Sequence, residues 1–163
     1  MELPPEEREQ ALGDPHGLER EHALERAVRA LARRDHSARS LRAKLERAGV
    51  SEPARDAAVD TLTGAGYLDD ARFAHDRAER LAGRGYGDDW IRADLEDQGV
   101  APEVAEPALA ALEPERERAL RAARKLGAGP RAASTLQRRG FSEDAVQGVV
   151  AGPVADDPEA GVG

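Results

Sequence analysis

The sequence predicts an all-α protein built from three tandem three-helix repeats that form an elongated, curved array. Composition is the first reason: charged residues make up 34% of the 163 residues and aromatic residues only 3%, with alanine supplying much of the apolar content. Such a composition is typical of helices and leaves too few large side chains for one big core. The second reason is that runs of β-branched residues are missing. The third is an internal repeat of helix and glycine turn.

The internal repeat is visible when the chain is aligned with itself. The three copies are LRAKLERAGVSEPARDAAVDTL (41–62), IRADLEDQGVAPEVAEPALAAL (91–112) and AASTLQRRGFSEDAVQGVVA (132–151). In each copy a glycine follows the first helix, at a position where a left-handed residue ends a helix. These glycines are Gly49, Gly99 and Gly140. The next helix then begins at an N-cap, Ser51 or Ser142, or at Pro102 in its first turn.

A further helix precedes each copy and completes the three helices of each repeat. The first of these carries Leu24, Val28 and Leu31 at helical spacing, which predicts a buried stripe. The second covers 70–83 and has Asp69 as its expected N-cap, and the third covers 115–126. We expect the repeats at 20–66, 67–113 and 114–151, between an acidic disordered tail (1–19) and a second disordered tail (152–163).

Charge is distributed unevenly along the chain, and the net charge of −8 conceals two basic blocks. Residues 23–49 carry eight basic and three acidic residues, and 116–139 carry eight basic and one acidic residue, on either side of an acidic middle. Local basic segments favour contacts with phosphate groups or acidic protein surfaces. The candidate contact residues are Arg33, Arg34, Arg39, Arg42, Lys44, Arg47, Arg84, Tyr86, Arg121, Arg124, Lys125, Arg131, Arg138 and Arg139.

Four of the five aromatic residues lie in or just after GYLDDARFAHDRAERLAGRGYG (66–87). We expect Tyr67 and Phe73 to fill the seam between two small helical bundles, because their neighbours are mostly alanine. Tyr86 or Trp90 is the candidate for an exposed ring that stacks on a base or on a partner protein.

The same stretch resembles the RecX family of bacterial recombinase regulators, whose members carry a GYLDDxRFA motif and a later GYG. The similarity extends over about 20–151 and includes LARRDHSARSLRAKL (31–45), while the third repeat matches least because KLGAGPRAA lacks an aromatic residue. The matching motif residues are Gly66, Tyr67, Leu68, Asp69, Asp70, Arg72, Phe73, Ala74, Gly85, Tyr86, Gly87, Ile91 and Leu95.

The resemblance implies three tandem three-helix repeats and a regulatory function. RecX-like proteins bind in the helical groove of the RecA–DNA filament and suppress its ATP hydrolysis, strand exchange and co-protease activity. The resemblance therefore implies a negative regulator of RecA that modulates DNA repair, homologous recombination and the SOS response. Direct contact of the basic ends with single- or double-stranded DNA is a further expectation.

Little in the sequence favours catalysis. The histidines lack metal-ligand spacing, cysteine is missing, and GRGYGDD lacks the Gly-Lys-Ser/Thr ending of a phosphate-binding loop. Helix capping explains the paired acids at Asp69-Asp70 and Asp88-Asp89. We therefore expect a cytoplasmic monomer that is not an enzyme and needs no cofactor or metal.

Two other functions remain compatible with these residues. The first is a helix-turn-helix-like DNA-binding regulator that reads DNA with 41–48 or 131–139. The acidic middle repeat and the lack of asparagine in the chain disfavour this alternative. The second is a purely structural helical scaffold, because a repeat fold alone does not specify a function.

Overall fold

A computed structural model describes residues 15–127 and 129–151, and over these residues the chain is helical without a β-strand. The all-α prediction is therefore confirmed. None of the helices within the described residues combines the length and apolar character that a membrane span needs. The helices are α1 (Pro15–Arg33), α2 (Ala38–Arg47), α3 (Glu52–Gly64), α4 (Asp70–Gly83), α5 (Asp88–Asp97), α6 (Pro102–Ala110), α7 (Glu115–Leu126), α8 (Pro130–Arg138) and α9 (Glu143–Val150).

Helix α1 begins earlier than the sequence suggested. The residues 15–19, which we assigned to a disordered tail, form its first turns. Proline is well suited to the start of a helix, because its missing N–H would have no partner there. The rest of that predicted tail, and the tail at 152–163, lie outside the described residues.

The chain divides into two compact units, and residues of the predicted second repeat belong to both. Of the described residues, the first unit contains 15–73 together with Asp97–Ala101. The second unit contains Ala74–Glu96 and the described residues from Pro102 to Ala151.

The core of the first unit is built on alanines. Ala23, Ala27 and Ala30 form the buried face of α1, and they pack with leucines of α2 and α3. The predicted leucine and valine stripe is therefore wrong in register: Leu24 is only partly buried, and Val28 is 49% exposed. Short side chains permit close packing of helices, so the alanine face rather than the bulkier stripe takes the centre.

Polar contacts at the start of α2 hold the first unit together. Ser37 is the N-cap: its hydroxyl accepts a hydrogen bond from Ser40 N at 3.0 Å and donates one to the carbonyl of Gln98. Asp70 accepts a hydrogen bond from Ala38 N at 2.7 Å, so this motif carboxylate stabilises the start of α2. Asp69 caps its own helix, as predicted, by accepting from Arg72 N at 3.0 Å.

The second unit contains a packed trio, α7, α8 and α9, around Leu136 and Phe141. Ion pairs connect its remaining helices. Arg77 of α4 binds Asp94 of α5 through its Nε and Nη2, and Arg92 of α5 binds Glu106 of α6 at 2.6 Å.

A glycine contact explains the GYG motif. Gly87 N donates to the carbonyl of Arg139 at 2.8 Å, and Asp89 N donates to the carbonyl of Gly140 at 3.0 Å. A Cβ at Gly87 would overlap the backbone of Gly140 and Phe141, so no residue larger than glycine fits where these two segments of the chain meet. The start of α5 therefore lies directly against the end of α8.

A glutamate connects two helices in each unit: α1 to the start of α3 in the first unit, and α7 to the start of α9 in the second. In the first unit, Glu19 accepts from Ser51 N at 3.1 Å, and the hydrogen bonds from Ser51 lower the pKa of Glu19. In the second unit, Glu115 accepts from Ser142 N and Oγ, and also from Asp88 N at 2.8 Å. The predicted N-cap role of Ser142 is confirmed, since its hydroxyl accepts from Ala145 N at 3.3 Å. Ser51 holds the N-cap position but makes no side-chain cap bond.

Candidate functional site

Basic side chains surround a groove between α1 and α2, which we call the first-unit groove. Its volume is about 170 Å³. Ala30, Leu45 and Ala48 form its apolar floor. The cations that line it are Arg26, Arg29, Arg33 and Lys44. Of these, Arg29 is paired with the exposed Glu25 at 3.1 Å, while the other three have no carboxylate within 4 Å among the described residues.

The other candidates of the first basic block make contacts inside the first unit. Arg42 binds Asp56 at 2.9 Å, so part of its charge is neutralised. The aliphatic part of Arg39 covers Gly99, where a Cβ would come within 2.7 Å of the Arg39 Cβ. Arg47 Nε donates to the carbonyl of Ala43 at 3.1 Å, which satisfies a carbonyl in the last turn of α2.

Arg34 is exposed, but its guanidinium approaches the buried His36. Its Nε lies 3.4 Å from His36 Nε2, and His36 Nδ1 is 3.1 Å from Ser40 Oγ. The His36 ring is buried, and this burial, followed by the nearby charge of Arg34, lowers the pKa of His36. The buried position therefore favours the neutral form of the His36 ring.

A second groove lies between the end of α4 and the face of α7, and we call it the second-unit groove. Its volume is about 220 Å³. Ala82, Gly83 and Gly85 contribute a side that lacks large side chains, and Ala122 and Leu126 contribute apolar surface. The cations that line it are Arg84, Arg118, Arg121, Lys125 and Arg139.

Two of the five cations in the second-unit groove are neutralised by acids of the same unit. Arg118 is 6% exposed; it binds Asp88 and donates to the carbonyls of Glu113 at 2.9 Å and Tyr86 at 3.1 Å. Burial raises the pKa of Asp88, and the adjacent Arg118 opposes that rise. Arg121 binds Glu113, and this hydrogen bond lowers the pKa of Glu113.

The remaining three cations of this groove, Arg84, Lys125 and Arg139, have no carboxylate within 4 Å among the described residues. The other candidates of the second block lie outside the groove lining. Arg124 is exposed near Glu117, Arg131 is exposed at the start of α8, and Arg138 Nη2 donates to Thr135 Oγ1 at 3.3 Å.

The aromatic residues separate into three environments. Phe73 is buried, as predicted. Tyr67 is 70% exposed, so the prediction that it fills a seam is wrong. The turn after α3 places it at the surface, since Tyr67 N and Leu68 N both donate to Leu62 O and Leu68 takes the buried position. Tyr86 and Trp90 stack on each other, with centroids 4.0 Å apart and ring planes at 20°.

The other motif residues have structural positions. Gly66 and Gly85 adopt left-handed backbone, with φ of 76° and 86°. Leu68 and Ile91 are buried in the core. Arg72 Nη2 lies 3.4 Å from the Tyr67 carbonyl, on the surface of the same turn.

Sequence reasoning missed three cations that line the two grooves. Arg26 and Arg29 precede Arg33 by seven and four residues, a helical spacing that could have identified the lining of the first-unit groove. Arg118 was missed because a buried arginine differs from its exposed neighbours only through long-range contacts. Among the described residues, acidic and histidine side chains form no cluster suited to a metal ion. The two grooves lined by cations are therefore the candidate sites, and their positive charge favours anionic partners.

Comparison with known proteins identifies the family. Residues 23–62 match the model of the RecX first three-helix domain, and 69–109 match the RecX second three-helix domain. The regulatory protein RecX of Xanthomonas oryzae pv. oryzae (strain MAFF 311018) is 39% identical over 134 residues, covering 76% of this chain and 84% of that protein. The corresponding protein of Stenotrophomonas maltophilia (strain R551-3) is 37% identical over 134 residues, covering 76% of this chain and 82% of that protein.

Solved structures show the same fold at low sequence identity. The crystal structure of RecX from Lactobacillus salivarius superposes with a TM-score of 0.72 at 17% identity, covering 83% of this chain and 96% of that one. A second structure, of a regulatory protein RecX, gives a TM-score of 0.76 at 20% identity and covers 91% of this chain and 80% of that one. The identity to the curated relatives and the extent of the match together show that this chain belongs to the RecX family of regulatory proteins.

Proposed function

We propose that this chain is a negative regulator of the RecA recombinase: it binds the RecA–single-stranded DNA filament in its groove and inhibits ATP hydrolysis, strand exchange and co-protease activity. Through that inhibition it modulates DNA repair and the SOS response in the cytoplasm. RecA is the partner that membership of the RecX family implies, and this membership, over 134 aligned residues, is the observation that carries the proposal.

The charge distribution of the two units supports binding to a nucleoprotein filament. A filament of protein on DNA offers phosphates and acidic side chains, which attract exposed cations. In the first-unit groove, Arg33 and Lys44 are exposed and lack an acidic partner among the described residues. These two side chains could therefore bind an anionic group of a filament without first breaking an internal ion pair.

The test is the rate of ATP hydrolysis by RecA on single-stranded DNA, titrated with this chain at two salt concentrations. We expect inhibition at substoichiometric ratios of this chain to RecA, and a higher half-inhibitory concentration at the higher salt concentration. An unchanged rate, with this chain folded and RecA from the same organism, would contradict the proposal.

Charge reversal distinguishes the groove from general electrostatics. The double variant R33E/K44E places two acids in the first-unit groove, and we expect it to raise the half-inhibitory concentration about tenfold. The matched control is R20E/R80E, which makes the same change in net charge at exposed positions outside the groove lining. An equal loss in both double variants would refute a specific contribution from the groove.

Binding to naked duplex DNA tests the helix-turn-helix-like alternative. Footprinting at one DNA sequence, without an effect on RecA, would favour that alternative. Sequence-independent protection that disappears with added salt would leave the RecA proposal in place.

A further inference from the structure

We propose that the second-unit groove is a phosphate-binding site, in which Arg84, Lys125 and Arg139 hold one phosphate group. The phosphate comes from the backbone of a single nucleic-acid strand or from free phosphate. The proposal rests on the proposed function only in that a filament supplies such strands, and it deepens that function by naming a site.

Charge is the first argument. Five basic residues line a groove of about 220 Å³, and no acidic residue is among the described residues that line it. Arg118 and Arg121 already bind carboxylates, so their charges are matched. Three cations of like sign in one small space repel each other, and a bound anion relieves that repulsion.

The support of these cations is the second argument. Arg139 Nη1 would lie 3.0 Å from a Cβ at Gly85, so its guanidinium covers the glycine turn. The buried Arg118 donates to the carbonyl of Tyr86 at 3.1 Å, and so fixes the residue next to that turn. The site therefore combines a glycine turn adjacent to a hydrogen-bonded carbonyl with a guanidinium that already lies against that turn, which lowers the cost of ordering the site around an anion.

The helix dipole offers an alternative explanation for the position of each cation. Arg84, Lys125 and Arg139 each lie at or just after the end of a helix, where a positive charge is favoured by the helix dipole. That explanation accounts for one cation at each helix end. The helix dipole does not explain why three helix ends meet at one groove, nor why none of the described residues that line this groove is acidic.

The size and the chemistry of the groove favour phosphate. A groove of about 220 Å³ is below the roughly 300–1,000 Å³ that enclose a drug-sized ligand, so a small anion suits it better than a whole nucleotide. Two guanidinium groups supply fork-shaped donors that match phosphate oxygens, and Lys125 adds a point charge.

The experiment uses the full chain and follows backbone amide resonances by NMR during titration. The probes are inorganic phosphate and a single-stranded oligothymidylate of about ten nucleotides. We expect both probes to shift the Gly85 amide, with binding weakened about tenfold in R139Q and in K125Q. Both substitutions leave the backbone bond between Gly87 N and the Arg139 carbonyl in place.

The matched control is R80Q, which removes the charge of an exposed residue of α4 outside the groove lining. Retained binding in R80Q, together with weakened binding in R139Q and K125Q, supports the site. Equal weakening in all three variants would overturn it in favour of diffuse attraction, and so would unshifted Gly85 with both probes. A shift with the oligothymidylate alone assigns the site to a strand phosphate, whereas a shift with both probes shows that free phosphate also binds.

Failure of this proposal is distinguishable from failure of the proposed function. Weakened phosphate binding in R139Q with unchanged inhibition of RecA would show that the site does not serve that inhibition. Gly85 shifts in a chain that does not inhibit RecA would leave the site standing without the regulatory function.

Discussion

The first-unit groove and the second-unit groove present similar charge on different supports. In the first-unit groove the cations extend from the surfaces of two helices over an alanine and leucine floor. In the second-unit groove they surround a glycine turn that is fixed by the buried Arg118 and by backbone contacts at Gly87. We therefore expect anion binding in the first-unit groove to depend mainly on the number of positive charges. In the second-unit groove it should depend on the position of each charged side chain.

The buried polar groups of the two units differ in the same way. The first unit buries His36 and Ser37, which both hydrogen-bond to Ser40, and the cation nearest to them, Arg34, lies at the surface. The second unit buries a full charge at Arg118 and matches it with Asp88. Removing one partner of a buried ion pair leaves an uncompensated charge, so the second unit should be the more sensitive to a single substitution.

Replacing Arg118 with methionine is therefore expected to cause the largest loss of stability. The substitution leaves Asp88 charged and partly buried, and it removes the donor to the carbonyls of Glu113 and Tyr86. We expect R118M to lower the free energy of unfolding by about 3 kcal/mol, measured by urea denaturation.

Two controls accompany R118M. The variant R121M, on the same helix as Arg118, breaks the exposed pair with Glu113 and should cost less than about 1 kcal/mol. The double variant D88N/R118M removes the stranded charge, and part of the lost stability should return. Equal costs for R118M and R121M would show that the buried pair does not support the second unit.

The next largest effect is expected from a methyl group at Gly87. A Cβ there overlaps the backbone of Gly140 and Phe141, and backbone cannot move aside as a flexible side chain can. We expect G87A to lower the free energy of unfolding by about 2 kcal/mol.

The control for G87A is G83A, in the last turn of α4. A Cβ at Gly83 would meet nothing within 4 Å, and alanine favours helix, so G83A should be neutral or stabilising by up to about 1 kcal/mol. Similar losses in the two variants would mean that the close approach of Gly87 to Gly140 does not matter for stability.

Part of this fold could be predicted from the sequence. Aspartate at its start and glycine at its end predicted the bounds of α4, and the left-handed turns at Gly49, Gly99 and Gly140 are confirmed. Such signals act over a few residues, so they can be read locally. The all-α repeat fold follows from them and is confirmed.

The second-unit groove could not have been predicted in the same way. In this groove Gly85 lies next to Arg139, which is far away in sequence, and the contact is possible because glycine has no side chain. Similarly, the buried face of α1 is set by how closely alanines let helices approach, and the exposure of Tyr67 is set by the turn that buries Leu68. Periodicity identifies apolar positions but does not rank them when two stripes compete.

The smallest expected effect concerns pH and separates the two units once more. The buried environment lowers the pKa of His36, so the unfolded chain takes up this proton at a higher pH than the folded chain does. The stability contributed by neutral His36 is therefore complete above about pH 6.5, the usual histidine value, and is lost as pH falls through the lowered pKa. The charged groups around the ring are Arg34, Lys44, Asp35 and Arg47.

We expect the free energy of unfolding to fall between pH 7.5 and 5.5, and H36Q to flatten that dependence. Glutamine keeps a polar side chain near Ser40 but cannot take up the proton, so the comparison isolates the titration of the ring. The matched control is H22Q, which removes an exposed histidine of α1 and should leave the slope as it is. If H36Q and the unaltered chain lost stability equally over this range, the pH dependence would have to arise from groups other than the buried ring of His36.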